Sequence, residues 1–440
     1  MLLMKKQSQI MGVSWDKAAT PTLTRTDSAI GMVAAAGVDT GVVTNNFDAA
    51  PIFREIYDVT DTLGNVFVRI PKFYIRKTDG AGYKTWQISK TQYAGFYLPW
   101  CFWDFANSRE LPYFDFGKYK ATKDGSNKLQ SVANVYPLIN TSIADMRTYA
   151  KNNNTGGLAG YQQLDLHAAD VLQALIYTEF ATIGSQSIMA GYTAGQYNAS
   201  HTATVAENNV NRIIVANATA ALYAVGQAIS VGTSLGGNQI FYGRTITSID
   251  VYDASNKAIS FDGATVNIAI GNILYNTGWK NGFSANITAT SGSLVSNSSG
   301  LYPCKYRGIE SPWGDIWQFV DGVNITGYQA WICKDASSYA SDVFASPYEQ
   351  LGYVDGNTDG YVVAMGYDAN YPFAALPVTV GGSDSTYYSD YYYRATGQRI
   401  ARVGGSWYNG LDAGLSHWAP DVASTGVSTR IAGRLVRKAV

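Results

Sequence analysis

Only two stretches of this chain have the apolar spacing of a helix, and that scarcity constrains the fold more than any other feature. Residues 140–151 place apolar side chains on one helical face after a polar cap, and a run of Asn and Gly follows them. The second stretch, from Asp165 to about Thr182, has a broader apolar face, and Asp165 can accept hydrogen bonds from the first-turn amides. Short alternating runs bounded by Gly, Asn, Asp and Ser dominate elsewhere, which predicts an α+β chain built mostly of strands.

The chain of 440 residues is longer than one hydrophobic core usually serves, so we expect several structural units. Residues 1–50 show little periodicity and are predicted to be an N-terminal attachment segment rather than part of the core. The main domain is predicted to be split between residues 51–190 and 301–440. Residues 191–300 hold short β runs about ten residues apart, which is typical of a small barrel or sandwich. This inserted β module could be a spacer, a trimer contact or a second binding site.

Charge and hydropathy exclude two classes of partner. A net charge of −1 lacks the positive footprint that binding to nucleic acid requires. The chain has no run of about 18 apolar residues, so no membrane insertion is expected. Residues 1–9 place two lysines after the apolar residues, the reverse of the order in a signal peptide, so we expect no secretory signal there.

Side chains that could support catalysis are too scattered in the sequence to predict an active site. The histidines form no pair at the spacing of a metal site or a catalytic triad: His167, His201 and His417. The cysteines are odd in number and far apart, so we interpret Cys101, Cys304 and Cys333 as buried core thiols, with a Cys304–Cys333 bridge as the alternative. We therefore expect a protein that is not an enzyme and that holds no cofactor and no metal.

One short motif could bind calcium. Asp355, Asn357 and Asp359 form the D-x-N-x-D-G opening of a calcium-binding loop, but Gly366 occupies the position where a bidentate Glu is needed. We favour an ordinary turn of Asp, Asn and Gly over residues 355–360, and calcium binding is the alternative.

Tyrosine is concentrated in the C-terminal part of the chain. Twelve of the 32 tyrosines lie between Tyr339 and Tyr408, mixed with Ser, Gly, Asp and Asn. Tyr supplies contact area at low cost in rotamer entropy, and the small polar residues adapt their hydrogen bonds to a partner. This composition favours a recognition surface, and ordinary polar loops are the alternative.

Two tryptophan-containing motifs carry a resemblance to a known family. Residues 306–322 are similar to the GN-x-W-E-W-V-x-D signature, and residues 404–407 to the R-GGS-[FW] motif, of the formylglycine-generating-enzyme branch of the C-type lectin fold. The resemblance implies a C-type lectin-like domain with two helices and many short strands, which the inserted all-β module interrupts. Enzymatic members use cysteines shortly after GGS, whereas no Cys follows Cys333, so that activity is not expected. Structural roles are expected for Trp313, Trp317, Trp407, Gly404 and Gly405.

The order of these motifs and the tyrosine-rich segments between them also resemble phage tail receptor-binding proteins of the retroelement-diversified group. In that family the residues after GGSW vary and contact the ligand. The resemblance implies a homotrimer on a phage tail, in contact with other virion tail proteins, that binds a glycan or protein receptor on a bacterial surface. Made in the host cytoplasm, the chain would reach the virion without secretion. Ligand contacts are expected at Tyr408, Asn409, Asp412, Ser416, His417, Trp418, Asp421, Ser424, Thr425 and Ser428.

Two other functions were weighed against this one. A bacterial lectin-like surface or secreted adhesion protein of the same fold would be favoured by a lipobox or a secretion signal, and the sequence shows neither. An oxygen-dependent or hydrolytic enzyme of the same fold would need a reactive cysteine or paired carboxylates in a cleft.

Overall fold

Two capped helices form where the sequence predicts them. In this computed structural model, which describes residues 10–440, helix α1 spans Ile143–Lys151 and α2 spans Leu166–Phe180. The Ser142 hydroxyl accepts from the Asp145 amide at 3.1 Å, and the Asp165 carboxylate accepts from the Ala168 amide at 2.9 Å. These bonds satisfy first-turn amides that the helices leave unpaired. The predicted absence of a secretory signal concerns residues 1–9 and lies outside the described residues.

Strands dominate the rest of the described chain. Residues 10–440 contain three α-helices, the third being the single turn α3, Asn217–Ala220, and many short strands. The chain is therefore of the α+β class with mostly β structure, which confirms that part of the prediction.

Part of the described N-terminal region, residues 10–50, packs against the core, whereas the sequence predicted an attachment segment outside it. Strand Ile10–Trp15 lies inside a four-stranded antiparallel sheet, and Val13 and Trp15 are buried with α2 in the largest hydrophobic cluster. The Arg25 guanidinium donates to two carbonyls at the C-terminal end of α2, those of Thr178 and Glu179, at 2.7 and 2.5 Å. Periodicity did not indicate this packing because it depends on three short strands and a few buried side chains. The sheet order is Thr24–Asp27, Ile10–Trp15, Tyr83–Ser89, Tyr74–Gly80.

A second sheet joins the two ends of the main domain. Strand Tyr113–Gly117 pairs antiparallel with the C-terminal strand Leu435–Lys438, so residues more than 300 positions apart are hydrogen-bonded neighbours. Local sequence patterns did not indicate this pairing, because no short window contains both strands. The order of the five strands is Tyr161–Gln163, Leu435–Lys438, Tyr113–Gly117, Val66–Pro71, Tyr57–Thr60.

The largest sheet carries the C-terminal motifs. It has nine strands, and Ile431–Ala432 pairs in parallel beside Trp317–Thr326. The remaining path runs Glu349–Gln350, Gln329–Ile332, Trp317–Thr326, Gln398–Gly404, Gly414–Trp418, Tyr391–Tyr392, Gly360–Met365, Pro377–Val380.

Residues 203–274 have a hydrophobic cluster of their own, which includes Ile213, Val231, Ile259 and Leu274. The flanks of the predicted inserted β module pack elsewhere, because Trp279 and Phe283 join a cluster with Trp407. The unit with its own core is therefore narrower than residues 191–300. Its strands are Arg212–Ala216, Asn256–Phe261, Gly237–Val251, Ala228–Ser234 and Ile273–Asn276 in one sheet, and Glu207–Val210 with Val266–Ile268 in another.

Three small sheets complete the described chain. They comprise Thr122–Lys123 with Leu129–Gln130, Trp103–Asp104 with Arg109–Glu110, and Ile309–Glu310, Cys304–Tyr306, Gly292–Ser293 and Gly37–Val38.

All three cysteines are free and buried, as predicted. Cys304 and Cys333 therefore form no bridge.

Candidate binding surface

The GGSW turn, residues 404–407, is held against the first tryptophan motif. Gly404 and Gly405 have φ of 98° and 78°, a backbone conformation that favours glycine. A Cβ on Gly405 would lie 2.6 Å from the Cβ of Ala413. The amide of Trp407 donates to the Asp315 carbonyl at 2.7 Å, and the Gly314 amide donates to the Gly404 carbonyl at 2.9 Å. The turn thus sets the direction of the chain that follows it.

Tryptophans of both motifs are buried. Trp313, Trp317 and Trp407 are at most 2% exposed. The Trp313 indole N–H donates to the Met189 carbonyl at 2.9 Å. Trp313 and Trp407 anchor loops, and Trp317 begins a strand of the nine-stranded sheet.

Three of the predicted ligand contacts are buried, which corrects the expectation that residues 408–428 are displayed throughout. Ser416, His417 and Trp418 lie in strand Gly414–Trp418, which has neighbours on both sides in the nine-stranded sheet. The Ser416 amide donates to Asp390 at 2.6 Å, and its hydroxyl lies 2.5 Å from the Tyr177 hydroxyl. The His417 ring packs edge-on against Trp317 at 4.4 Å. The polar side chains of this strand gave no indication that it is buried. Its burial depends on parts of the chain that are distant in sequence and cover both of its faces.

Tyr408 is the most exposed aromatic side chain of the predicted set. It is 48% exposed, and its ring lies 5.7 Å from Tyr197 and 5.9 Å from Trp407. The Arg430 guanidinium is 5.6 Å from the centre of the Tyr408 ring. Aromatic and cationic neighbours therefore hold this ring in place while leaving about half of it accessible.

Asp412 organises a group of tyrosines, which we call the tyrosine–Asp412 cluster: Tyr361, Tyr391, Tyr393 and Asp412. Its two carboxylate oxygens accept from the hydroxyls of Tyr361 and Tyr393, each at 2.8 Å. The Tyr391 ring lies between them, 5.1 Å from Tyr361 and 4.6 Å from Tyr393. Burial, reinforced by the Asp412 carboxylate, raises the pKa of both hydroxyls, so they stay neutral donors.

The sequence indicated these tyrosines only through composition, and Tyr197 and Arg430 were not indicated at all. Their strands are separated along the chain, and the sheet brings them together. The available signal was the run of three tyrosines at residues 391–393, in which alternate side chains share one face of a strand.

All but one of the remaining predicted contacts are engaged within the protein. The Arg402 guanidinium forms two hydrogen bonds with Asp421, at 3.0 and 2.8 Å, and covers the Trp317 ring at 4.2 Å. The Ser424 hydroxyl donates to Asp342 at 2.5 Å. Asn409 accepts from the amide and hydroxyl of Ser406, and the Ser428 carbonyl accepts from the Asn140 amide. Thr425 is exposed.

Several polar groups are buried beneath this surface without a protein partner among residues 10–440. Both ring nitrogens of His417 and one oxygen of Asp390 are in this state. Burial lowers the pKa of His417 well below its usual value, and Arg402 lowers it further. Burial also raises the pKa of Asp390 well above its usual range. His417 is therefore neutral in the folded protein at neutral pH, and burial favours the protonated form of Asp390.

The predicted calcium motif at residues 355–360 does not converge on one point. Asp355 is buried with both carboxylate oxygens unpartnered within the described chain, and burial raises its pKa. Asp359 is instead exposed and accepts from the Arg394 amide at 3.0 Å. In residues 10–440 no group of three or more His, Cys, Asp or Glu side chains is arranged to hold a metal ion.

No family model matches this chain, and no curated protein matches its sequence. None of the helices formed by residues 10–440 is both long enough and apolar enough to cross a membrane.

Proposed function

We propose that this chain is a non-enzymatic receptor-binding protein of a phage tail. The tyrosine–Asp412 cluster and Tyr408 would contact a ligand on the bacterial surface. The cluster is the observation that supports this proposal most strongly, because its rings and hydroxyls are fixed before any ligand arrives. A preorganised aromatic surface loses little conformational entropy on binding.

The proposed fold is a C-type lectin-like domain of the formylglycine-generating-enzyme type. The two helices occur in the order that the resemblance implies, and the terminal strand Leu435–Lys438 pairs with Tyr113–Gly117. The GGSW turn also contacts the Trp313 motif directly. A homotrimer is proposed from the resemblance, and several copies on one particle would multiply a modest affinity at each site.

Attachment to other tail proteins is proposed for the N-terminal region. Ile30 is 70% exposed, Val33 50% and Val42 90%, although neighbouring residues are packed in the core. Three exposed aliphatic side chains within 13 residues support a protein contact there.

Adsorption of the fluorescently labelled protein to a panel of bacterial strains tests the receptor site. We expect Tyr408→Ala, Tyr391→Ala and Asp412→Asn each to reduce adsorption by about tenfold or more, as truncation of a central contact does. Tyr83→Ala is the matched control, because Tyr83 is 46% exposed and lies outside the candidate surface.

Circular dichroism and the thermal midpoint establish that each variant is folded. Adsorption that is unchanged in all three folded variants, or equally reduced in Tyr83→Ala, would contradict the proposed site. Release of the chain from intact virions by detergent, or its location at the tail tip in electron micrographs, distinguishes a tail protein from a bacterial surface adhesin.

A further inference from the structure

A second concave surface shares no residue with the tyrosine–Asp412 cluster. This cleft has a volume of about 800 Å³ and lies between the hairpin that begins at Trp103, the end of α1, strand Tyr161–Gln163 and the turn Ala336–Ser338. Its volume falls within the range of small-molecule binding pockets.

Two half-buried aromatic side chains, Trp103 and Phe105, line the cleft. The Phe105 ring stacks on Trp100 at 5.3 Å, and Trp100 packs edge-on against Trp103 at 6.0 Å. The Lys438 ammonium donates to the carbonyls of Trp100 and Trp103, at 2.8 and 3.3 Å, and lies 5.4 Å from the centre of Phe105. The rings are therefore held in position by the protein itself.

The turn that carries Phe105 is also fixed. Asp104 is 3% exposed, and its carboxylate accepts from the amides of Ala106 and Asn107 at 3.1 and 3.2 Å. It also accepts from the Asn107 side chain at 2.7 Å and from Arg109 at 3.1 Å. This side of the cleft therefore loses little conformational entropy when a ligand binds.

Polar groups without protein partners face the same cleft. Gln162 lines it and is 6% exposed, and its amide nitrogen is held by Asp165 at 2.6 Å. Among the described residues, the Gln162 carbonyl oxygen, the Ser337 hydroxyl and one Asp335 carboxylate oxygen have no hydrogen-bond partner. Gln162 is buried, Asp335 is half-buried and Ser337 is exposed. A ligand rich in hydroxyl groups could offer a hydrogen bond to each of them.

The charges of the lining balance. Its charged side chains are two cations, Lys151 and Lys438, and two anions, Asp104 and Asp335. Lys438 and Asp104 are committed to the contacts described above, so the cleft offers no strong charge preference. This balance favours a neutral ligand over an anionic one.

We infer that this cleft binds a neutral oligosaccharide, separately from the proposed receptor site. The C–H face of a sugar ring packs on Trp103 or Phe105, as an apolar surface does on an aromatic one. Its hydroxyls donate to Gln162 and Asp335 and exchange a hydrogen bond with Ser337. A site of this kind uses aromatic faces for contact area and a few acceptors for orientation.

Saturation-transfer NMR and Trp fluorescence titration of the full chain test this inference. The neutral probes are maltotriose, cellotriose and chitotriose, and 3′-sialyllactose is the charged comparison. We expect saturable binding of at least one neutral probe, with a change in Trp emission and with weaker or no binding of the charged sugar. Binding of none of the neutral probes at millimolar concentration would overturn the inference, as would binding of the charged sugar alone.

Variants locate the binding to the cleft. We expect Trp103→Ala to weaken binding about tenfold or more and Ser337→Ala to weaken it roughly two- to tenfold. Tyr83→Ala, which lies outside both the cleft and the proposed receptor site, should leave the affinity unchanged. If Trp103→Ala fails to fold, Trp103→Phe and Ser337→Ala provide the same test. Equal affinity in folded Trp103 and Ser337 variants overturns the inference, whatever the outcome of the cell-adsorption experiment.

Discussion

At the scale of single residues, the candidate surface rests on polar groups that are buried in neutral form. His417 is enclosed by Trp317 and Tyr393, and neither of its ring nitrogens has a partner within the described chain. A proton on His417 would add an unpaired charge to this core, near the Arg402 guanidinium that already lowers its pKa. The platform beneath the tyrosines is therefore stable only while this ring is neutral.

Acid should destabilise the protein through this residue. The unfolded chain takes up a proton on His417 below its usual pKa of about 6.5, whereas the folded chain does not, so the free energy of unfolding falls as the pH drops below that value. We expect the thermal midpoint of the wild type to fall more between pH 7 and pH 5 than that of His417→Phe. The raised pKa values of Asp355 and Asp390 favour the folded protein as the pH falls, which is the opposite effect. Both proteins contain these residues, so their contributions cancel in the comparison. Identical pH dependence would contradict the role of His417.

His167 provides an independent case in α2. Burial lowers its pKa to about 4, and its ring lies 4.4 Å from Phe373. Between pH 7 and pH 5 this shift should remove about 2 kcal/mol from the free energy of unfolding, by linkage to the unfolded state. His167→Phe should recover that amount at pH 5 relative to pH 7 in denaturant titrations, and a variant with the wild-type pH profile would disprove the assignment.

Two glycines in the loop after strand Gln398–Gly404 allow two costs of adding a side chain to be distinguished, the cost of backbone strain and the cost of steric overlap. Both Gly405 and Gly410 have positive φ, but a Cβ on Gly405 meets Ala413 at 2.6 Å and His417 at 3.1 Å, whereas a Cβ on Gly410 meets nothing within 4 Å. We expect Gly410→Ala to cost about 1 kcal/mol and Gly405→Ala about 2 to 4 kcal/mol. Chemical denaturation followed by Trp fluorescence measures the difference, and equal costs would show that the turn relaxes.

At the scale of elements, the sequence predicted what local patterns specify. Helices α1 and α2 have caps at Ser142 and Asp165 and apolar faces at helical spacing, so a short window contained the necessary signals. Residues of strand Gly414–Trp418 were expected on the surface because they follow GGSW, as the ligand contacts do in the family that the chain resembles. The burial of this strand depends on Asp390 and Tyr177, which no local window includes. The GGSW turn could be predicted from its motif, but the buried strand that follows it could not.

The two helix caps should differ in their contribution to stability. Ser142 is only half-buried, whereas Asp165 is buried and also accepts from Gln162 at 2.6 Å and from the Tyr339 hydroxyl at 2.9 Å. We expect Ser142→Ala to cost about 1 kcal/mol and Asp165→Ala clearly more, since the latter leaves the Ala168 amide and two further buried donors without an acceptor. Hydrogen exchange should show the loss of protection mainly in the first turn of α2. Equal costs for the two caps would contradict this ranking.

At the scale of the whole molecule, the chain enters and leaves the inserted unit at one junction. The Gln196 amide donates to the Asn276 side chain at 2.7 Å, and the Asn276 amide donates to the Gln196 carbonyl at 2.8 Å, so the chain leaves and returns at adjacent points. Residues 203–274 have their own hydrophobic cluster. Contacts with the main domain include the Tyr136–Thr245 hydroxyl pair at 2.8 Å and a bond from Gln227 to the Leu301 carbonyl at 3.0 Å.

This arrangement predicts that the inserted unit can be removed without unfolding the rest. Replacing residues 199–274 with a short Gly-Ser linker keeps Tyr197 against Tyr408 and keeps both sides of the Gln196–Asn276 junction. Short flexible linkers close such a small gap at little entropic cost. We expect a monodisperse, folded protein that still binds the neutral trisaccharide, because the cleft lies wholly outside the deleted residues. Unchanged cell adsorption would identify the unit as a spacer, whereas lost adsorption with the cleft intact would make it part of the receptor site. An aggregated or unfolded product would show instead that the two cores depend on each other.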